Sequence, residues 1–443
     1  MRLLLILLLL LISTSCKQKI EGLGIPLTLE KKTLTNGLTM IFVEDHTFPI
    51  ITYQTWVKVG SVDEHLGSTG LSHLFEHLMF KGTKKYGPKQ FFLELEAKGA
   101  EVNAFTTRDY TVFHETFTPD LLEKVISMES DRLVNLQLSD EILNSERQVV
   151  LEERRLRTEN VPSGKIQETL WALAYKRHPY RFPVIGILQD LLNFTLKDIT
   201  SFYQTYYQPG NVTLVLVGDF QSSAAFSLIT KYYEKITGFT RSPRNIPQEI
   251  EQDEERRYTL YDQVLSSQFA VAYHVTSALD DDSYALDVLA NILFEGTSSR
   301  AYHSIVEEKN IALNISGIAY TPTYNGLFII SGTMREEKNV EEVEVVLQNL
   351  IKEVQEKGVL DDEIKMAVKQ LTVGLVDNVR TPYGLGQLIG TVMMIFEDPN
   401  RFAEDLTKYL RVTSADVKRV AQRYLGQNNR TMVIMLPEKG RKK

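Results

Sequence analysis

The sequence predicts an α+β protein of two tandem homologous domains, and three observations carry that prediction. Leu192–Tyr206 aligns with Leu410–Tyr424, and Asn211 and Thr213 then match Asn429 and Thr431, all at the 218-residue offset that separates Thr195 from Thr413. Each copy reads as an N-capped helix, a glycine-bearing turn and a buried strand, Thr213–Val217 in one and Thr431–Leu436 in the other. The repeat length, about two hundred residues, is that of a single domain, and 443 residues with 43% hydrophobic content can fill two cores.

The chain opens on a stretch that is not read as part of either domain. Met1-Arg2 and then Leu3–Ile12 make a short positive start and an apolar run of signal-peptide length, too short to span a bilayer comfortably. Small residues lead into Cys16, the single cysteine of the chain. That pattern resembles a bacterial lipoprotein signal, which implies lipidation of Cys16 as the first mature residue, a membrane anchor there, and export to the periplasm or cell envelope. A plain secretory signal cut nearby is the alternative. One cysteine excludes an intramolecular disulfide framework. The division expected is residues 1–15 as leader, 16–238 as first domain, 239–257 as linker and 258–443 as second domain. Proline, arginine and the acidic run Glu251–Glu255 favour an extended, solvated linker. A formal net charge of −8 excludes a basic, nucleic-acid-like surface.

Within the first domain, His73-Leu-Phe-Glu-His77 is the pattern richest in chemistry. On a helix the two histidines lie four apart and project from one face, where they can grip one divalent cation, and Glu76 falls beside them. A carboxylate next to a metal-activated water can take its proton. Catalytic zinc takes three protein ligands, so a third donor is required. The best source is Ser139–Thr158, where Ser139 is an N-cap, Asp140 and Glu141 suit the first turn, and arginines crowd the end. Glu146 and Glu153 are seven apart and share a face of this helix, but an ordinary solvated face of charges is an open alternative, and Glu152, Glu159 and the arginines are assigned to it. Val102–Thr107 alternates as a strand should, Val102, Ala104 and Thr106 against Asn103, Phe105 and Thr107. Tyr258–Val275 reads as two strands and Asp282–Phe294 as a helix.

The motifs then resemble one family in order. Gly60–Glu64, Gly70–Thr83, Gly99–Thr106, Glu146–Glu153, His178–Tyr180 with Ile185-Gly186, and Tyr207–Asn211 are together similar to the pitrilysin/insulinase family of zinc peptidases, in its short, processing-peptidase-like branch. The resemblance implies two mixed sheets packed with helices as a half-clamshell. It also implies one zinc ion on His73, His77 and Glu153, with Glu76 activating water. Glu146 matches a glutamate beside the metal that orients the ligands and tunes the basicity of the site. The strand at Val102–Thr107 corresponds to a sheet edge to which an extended peptide adds as a further strand, with Asn103, Ala104 and Phe105 as contacts.

Two departures qualify what the resemblance implies. Matching Leu78–Thr83 to Ile292–Thr297 sets His73 against Asp287, Glu76 against Ala290 and His77 against Asn291, so one metal site per chain is expected. Members that act alone carry an arginine and a tyrosine in the second domain, which hold substrate and stabilise the oxyanion; here those positions are Val306 and Leu313. Neither side chain donates a hydrogen bond, and one such donor contributes about 2.7–4 kcal/mol. Either Arg300, Tyr302 or His303 substitutes, or a homologous partner chain supplies the pair. The expectation is a zinc metalloendopeptidase subunit completed by that partner. The competing classes are a noncatalytic structural or peptide-binding lipoprotein of the same fold and a zinc hydrolase of non-peptide substrates.

Overall fold

A computed structural model describes residues 16–20, 27–238 and 244–438. The leader, residues 1–15, lies outside them, as do residues 239–243 of the linker. No helix among the described residues is long and apolar enough to cross a membrane.

Two mixed sheets organise the chain. The first contains β1 (Cys16–Ile20), β2 (Leu27–Thr33), β3 (Thr39–Glu44), β4 (Ile51–Val57), β5 (Glu101–Thr106), β6 (Thr111–Phe117) and β7 (Val212–Gly218), in the order β1-β2-β3-β7-β4-β6-β5. The second contains β8 (Arg256–Asp262), β9 (Gln268–His274), β10 (Ala312–Tyr320), β11 (Leu327–Met334) and β12 (Arg430–Pro437), in the order β10-β11-β9-β12-β8. Read from β3 and from β8, the two have the same five-strand order. Each has one parallel pair, β3 with β7 and β8 with β12, among antiparallel neighbours. The repeat in the sequence is therefore a repeat of sheet topology.

Strands β3, β4 and β7 are apolar on both sides because both sides are buried. Met40, Phe42, Tyr53, Leu214 and Leu216 face the helices of their own half. Ile41, Val43, Trp56, Val215 and Val217 face the other way, onto Leu385, Ile389 and Val392 of helix Pro382–Phe396, which belongs to the second half. Gly390 lets that helix lie flat on the sheet, since a Cβ there would stand 2.0 Å from the Trp56 indole. The exchange is reciprocal. Helix Pro162–Ala174 of the first half places Ile166, Leu170, Trp171 and Ala174 on Ala270 and Ala272 of β9 and Val433 and Met435 of β12.

The connection between the halves departs from the solvated linker the sequence suggests. Its described part, 244–255, has no regular structure but is fastened along its length. Arg244 forks onto Asp63 at 2.9 Å by both contacts. Glu249 accepts from the amides of Lys176, Arg177 and His178 at 2.8–2.9 Å, and the buried Gln252 donates to the Arg430 carbonyl at 2.8 Å. Of the acidic run, Glu255 pairs with Arg430 at 3.0 Å whereas Glu251, Asp253 and Glu254 are exposed, and β8 begins at Arg256, inside the stretch assigned to the linker.

Candidate metal centre

Helix Leu71–Leu78 begins at Gly70, which has no side chain to cap it. Glu64 supplies the cap: its two buried carboxylate oxygens accept from the Gly70 and Ser72 amides, each at 2.7 Å. One turn further on, His73 and His77 stand with ring centroids 5.0 Å apart. The second contributor is helix Asp140–Arg154, which starts where the sequence places its cap, the Ser139 hydroxyl accepting from the Ile142 amide at 3.2 Å. It brings Glu153 Oε2 to 3.6 Å from His73 Nε2 and 3.3 Å from His77 Nε2. Ligand atoms of the three residues all lie within 4.8 Å of one another.

This donor set fits zinc. Two imidazole nitrogens and one carboxylate oxygen at about 2.0–2.2 Å from a tetrahedral ion stand about 3.3–3.5 Å apart, and a fourth position stays open. Burial, reinforced by the positive field of His77, pulls the His73 pKa down to about 4 and leaves it neutral, the form that binds a metal. His77 goes the other way. Burial opposes its charge, but Glu146 and Glu153 outweigh burial and raise its pKa to about 9. The pocket between these carboxylates thus already favours a cation. Glu146 Oε2 lies 3.6 Å from His77 Nδ1, the ring nitrogen away from Glu153, and Glu146 Oε1 lies 2.6 Å from Lys81 Nζ. Burial pushes the Glu146 pKa up, and the His77 and Lys81 contacts more than offset it.

Glu76 is held from the sheet. Thr106 Oγ1, on β5, donates to Glu76 Oε2 at 2.7 Å. Burial outweighs that bond and raises the Glu76 pKa, the direction that suits a general base working near neutrality. Among the described residues strand β5 pairs with β6 alone, and it is one of the two edges of the first sheet. Its alternation divides the three residues expected to meet substrate. Ala104 packs on the side of the motif helix, whereas Phe105 packs edge-on to Trp56, 6.3 Å away, on the opposite side. Asn103 is exposed, and its Oδ1 accepts from the Ala104 amide at 2.8 Å.

Several functional contacts escape sequence reading. Glu64 closes the Gly60–Glu64 run, whose resemblance carried no role, and Thr106 stands in the alternating strand. Arg157 reaches back to Glu153 Oε1 at 2.8 Å, leaving Oε2 to the histidines, and its position four after Glu153 was a readable signal. Arg154 is a correction: assigned to a solvated face, it is buried, and the helix changes there to a π turn, Arg155–Glu159. In the second half Val306 is buried and Leu313 half exposed. Arg300 is engaged by Glu363 at 2.7 and 2.6 Å, and His303 lies 3.4 Å from Glu308.

Fold and donor set together define a metallopeptidase-like protein. The family model described as "Insulinase (Peptidase family M16)" matches residues 39–186, and "Peptidase M16 inactive domain" matches residues 193–371. The chain belongs to the insulinase family, peptidase family M16. It is 30% identical to the zinc protease PqqE of Helicobacter pylori, over 92% of this chain and 93% of that one. It is 23% identical to the mitochondrial-processing peptidase subunit beta of Lentinula edodes, over 89% of this chain and 87% of the relative. The crystal structure of a protease from Helicobacter pylori superposes with a TM-score of 0.89 at 28% identity, over 92% of this chain and 99% of that one. A peptidase M16 inactive domain from Pseudomonas fluorescens shares the fold, with a TM-score of 0.84 at 16% identity over 92% of this chain and 98% of that one.

Proposed function

We propose that the chain is the metal-bearing subunit of a zinc endopeptidase acting on extended peptides. The observation that carries this reading is the convergence of His73, His77 and Glu153, with Glu76 beside them and a sheet edge adjacent. Zinc bound there would supply Lewis acidity toward a water molecule and the scissile carbonyl. The substrate lies along β5 as an added strand, held through its main chain, with Asn103 and Ala104 closest and the Phe105 side chain turned to the sheet's other face. Glu76 takes the proton of the attacking water and returns it to the leaving amine, while Thr106 fixes one of its oxygens. Glu146 orients His77.

The oxyanion pair is the part this chain lacks, and a homologous partner carrying the arginine and tyrosine completes the reaction. The bidentate hold of Glu363 on Arg300 supports a partner over that residue as a local substitute. The processing-peptidase beta subunits among the relatives support it too. The same empty positions, Val306 and Leu313, favour the second reading, a noncatalytic peptide-binding or structural member. The apolar leader and Cys16 support export to the periplasm or cell envelope with a lipid anchor.

Co-expression with a homologous partner, zinc analysis and a fluorogenic peptide assay test the proposal. The chain with its partner should cleave and the chain alone should not. Glu76→Gln should keep its zinc and lose turnover by about 10²–10⁴-fold. Equal activity with and without a partner would sink the subunit reading, and zinc without any cleavage in the complex would favour the noncatalytic one.

A further inference from the structure

Glu153 and the two histidines come from helices remote in sequence, so something must set the register between them. His73 and His77 share one helix and need no such device, but Glu153 reaches them across the packing of two elements. A shift of one helix by a fraction of a turn would carry its carboxylate out of ligand range, because a turn advances about 5.4 Å.

Beside their direct packing and the contact of Glu146 with His77, the two helices are connected through Arg154, the residue after Glu153 and the last of its helix. Its guanidinium is buried and makes hydrogen bonds through both amino groups, with a third carboxylate near Nε. Nη1 donates to the Gly186 carbonyl at 2.8 Å, Nη2 donates to both Glu168 oxygens at 2.8 and 3.0 Å, and Nε stands 3.3 Å from Glu159 Oε1. Gly186 in turn is wedged against the start of the motif helix. A Cβ on Gly186 would meet the Thr69 carbonyl at 2.4 Å, and a Cβ on Gly70 would meet the Ile185 carbonyl at 2.7 Å. Both glycines have left-handed backbones, φ +88° and +93°. The Ile187 amide donates to Thr69 Oγ1 at 3.1 Å, so the turn and the helix start are bonded as well as packed. From the Glu153 helix to the His73 helix the path is thus one guanidinium, one carbonyl and one backbone contact without a side chain to soften it.

We infer that Arg154 is a positioning residue for the metal centre, which fixes Glu153 against His73 and His77 by anchoring the end of its helix to the Gly186–Gly70 contact. It touches neither metal nor substrate and acts through Glu153. Glu168 holds the other amino group of the guanidinium and ties it to helix Pro162–Ala174, the one that covers the second sheet. Lysine cannot reproduce this role, since one ammonium cannot serve a carbonyl and a carboxylate in the fixed fork geometry of a guanidinium.

The inference rests on the zinc reading, and the test separates the two. The zinc dissociation constant by chelator competition and the visible spectrum of the cobalt-loaded protein are compared for the full chain, Arg154→Lys and Glu168→Gln, with circular dichroism as the check on folding. Arg154→Lys should fold, bind zinc about 10–100-fold more weakly and shift the cobalt bands, the scale on which groups that orient ligands act. Glu168→Gln should weaken zinc less, by about threefold to tenfold, on the same basis. Wild-type affinity and spectrum in Arg154→Lys would overturn the inference while leaving the zinc site standing. Should Arg154→Lys fail to fold, unchanged affinity in Glu168→Gln would overturn it and weakened affinity would support it. An unmutated chain that binds no zinc would overturn the zinc reading and this inference together.

Discussion

The two halves of the chain are the same scaffold with different contents, and the difference shows what the fold demands apart from what the chemistry demands. Thr195 and Asp198 form a reciprocal cap on helix Leu196–Tyr206, and Thr413 and Asp416 repeat it on helix Ser414–Tyr424. Asn211 donates to the Tyr206 and Lys58 carbonyls, and Asn429 to the Tyr424 and His274 carbonyls. These contacts hold a helix to a strand in both copies. The metal positions have no such agreement. Where His73 faces Glu153, Asp287 is half-buried and accepts from the Tyr409 hydroxyl at 2.6 Å. Helix Arg401–Tyr409 packs on helix Asp282–Phe294, so the residue aligned with His73 is held by a tyrosine hydroxyl and not by a donor cluster. Capping and packing residues recur in both halves, whereas among the described residues the donor cluster is found in one.

Exchanging residues between the halves is the strongest way to break this comparison. His73→Asp, which imports the second half's residue, should lower bound zinc from about one per chain to below about a tenth, because a three-donor site loses a ligand. Asp287→His should leave zinc at one per chain, since Ala290 and Asn291 supply neither the imidazole nor the carboxylate that His77 and Glu76 supply in the first half. A second zinc in Asp287→His, read by metal analysis, would mean that the second half retains a latent centre.

Asp287 also separates the halves by pH. Burial, with Asp405 nearby, raises its pKa to about 7 despite the Tyr409 bond. An unfolded aspartate titrates near about 3.9, so from about pH 4 to 7 the folded chain holds a proton that the unfolded chain has lost. Stability from this group is therefore present at low pH and lost as pH rises through that window. Asp287→Asn, which mimics the protonated form, should flatten the dependence and exceed the parent at pH 8 by on the order of 4 kcal/mol in denaturant unfolding, with little difference near pH 4. An unchanged slope would show that Asp287 is ionised in the fold.

The smallest effect asks whether the shared framework is equivalent in energy as well as geometry. Thr195→Ala and Thr413→Ala each remove a cap and should each cost about 1 kcal/mol. A cost confined to one would mean that the halves have diverged in stability where they agree in structure.

Much of this was legible in the sequence because it is written in local spacing. The four-residue interval of His73 and His77, the cap at Ser139 and the 218-residue repeat are all properties of neighbours or of periodicity. The family resemblance supplied Glu153, which spacing alone left open. What stayed hidden is tertiary. Arg154 reads as one arginine among several until Gly186 is brought to it, and Thr106 reads as a strand residue until Glu76 arrives beneath it. Glu249 reads as part of an acidic linker until three amides converge on it. In each case the partner is distant in sequence, and charge gave the wrong environment because a buried charge and a solvated one use the same letter.

The exchanged helices carry a consequence for inheritance. Ile41, Val43, Val215 and Val217 are covered by the other half, and burying such a side chain contributes about 1.5–3 kcal/mol. Exposing all four would forfeit an amount comparable to the whole stability of a typical domain, about 5–15 kcal/mol. Neither copy is a portable module that could be cut away and kept. A repeated half in this arrangement need not share its neighbour's metal-donor residues but must keep its shape, because each half walls the other's core.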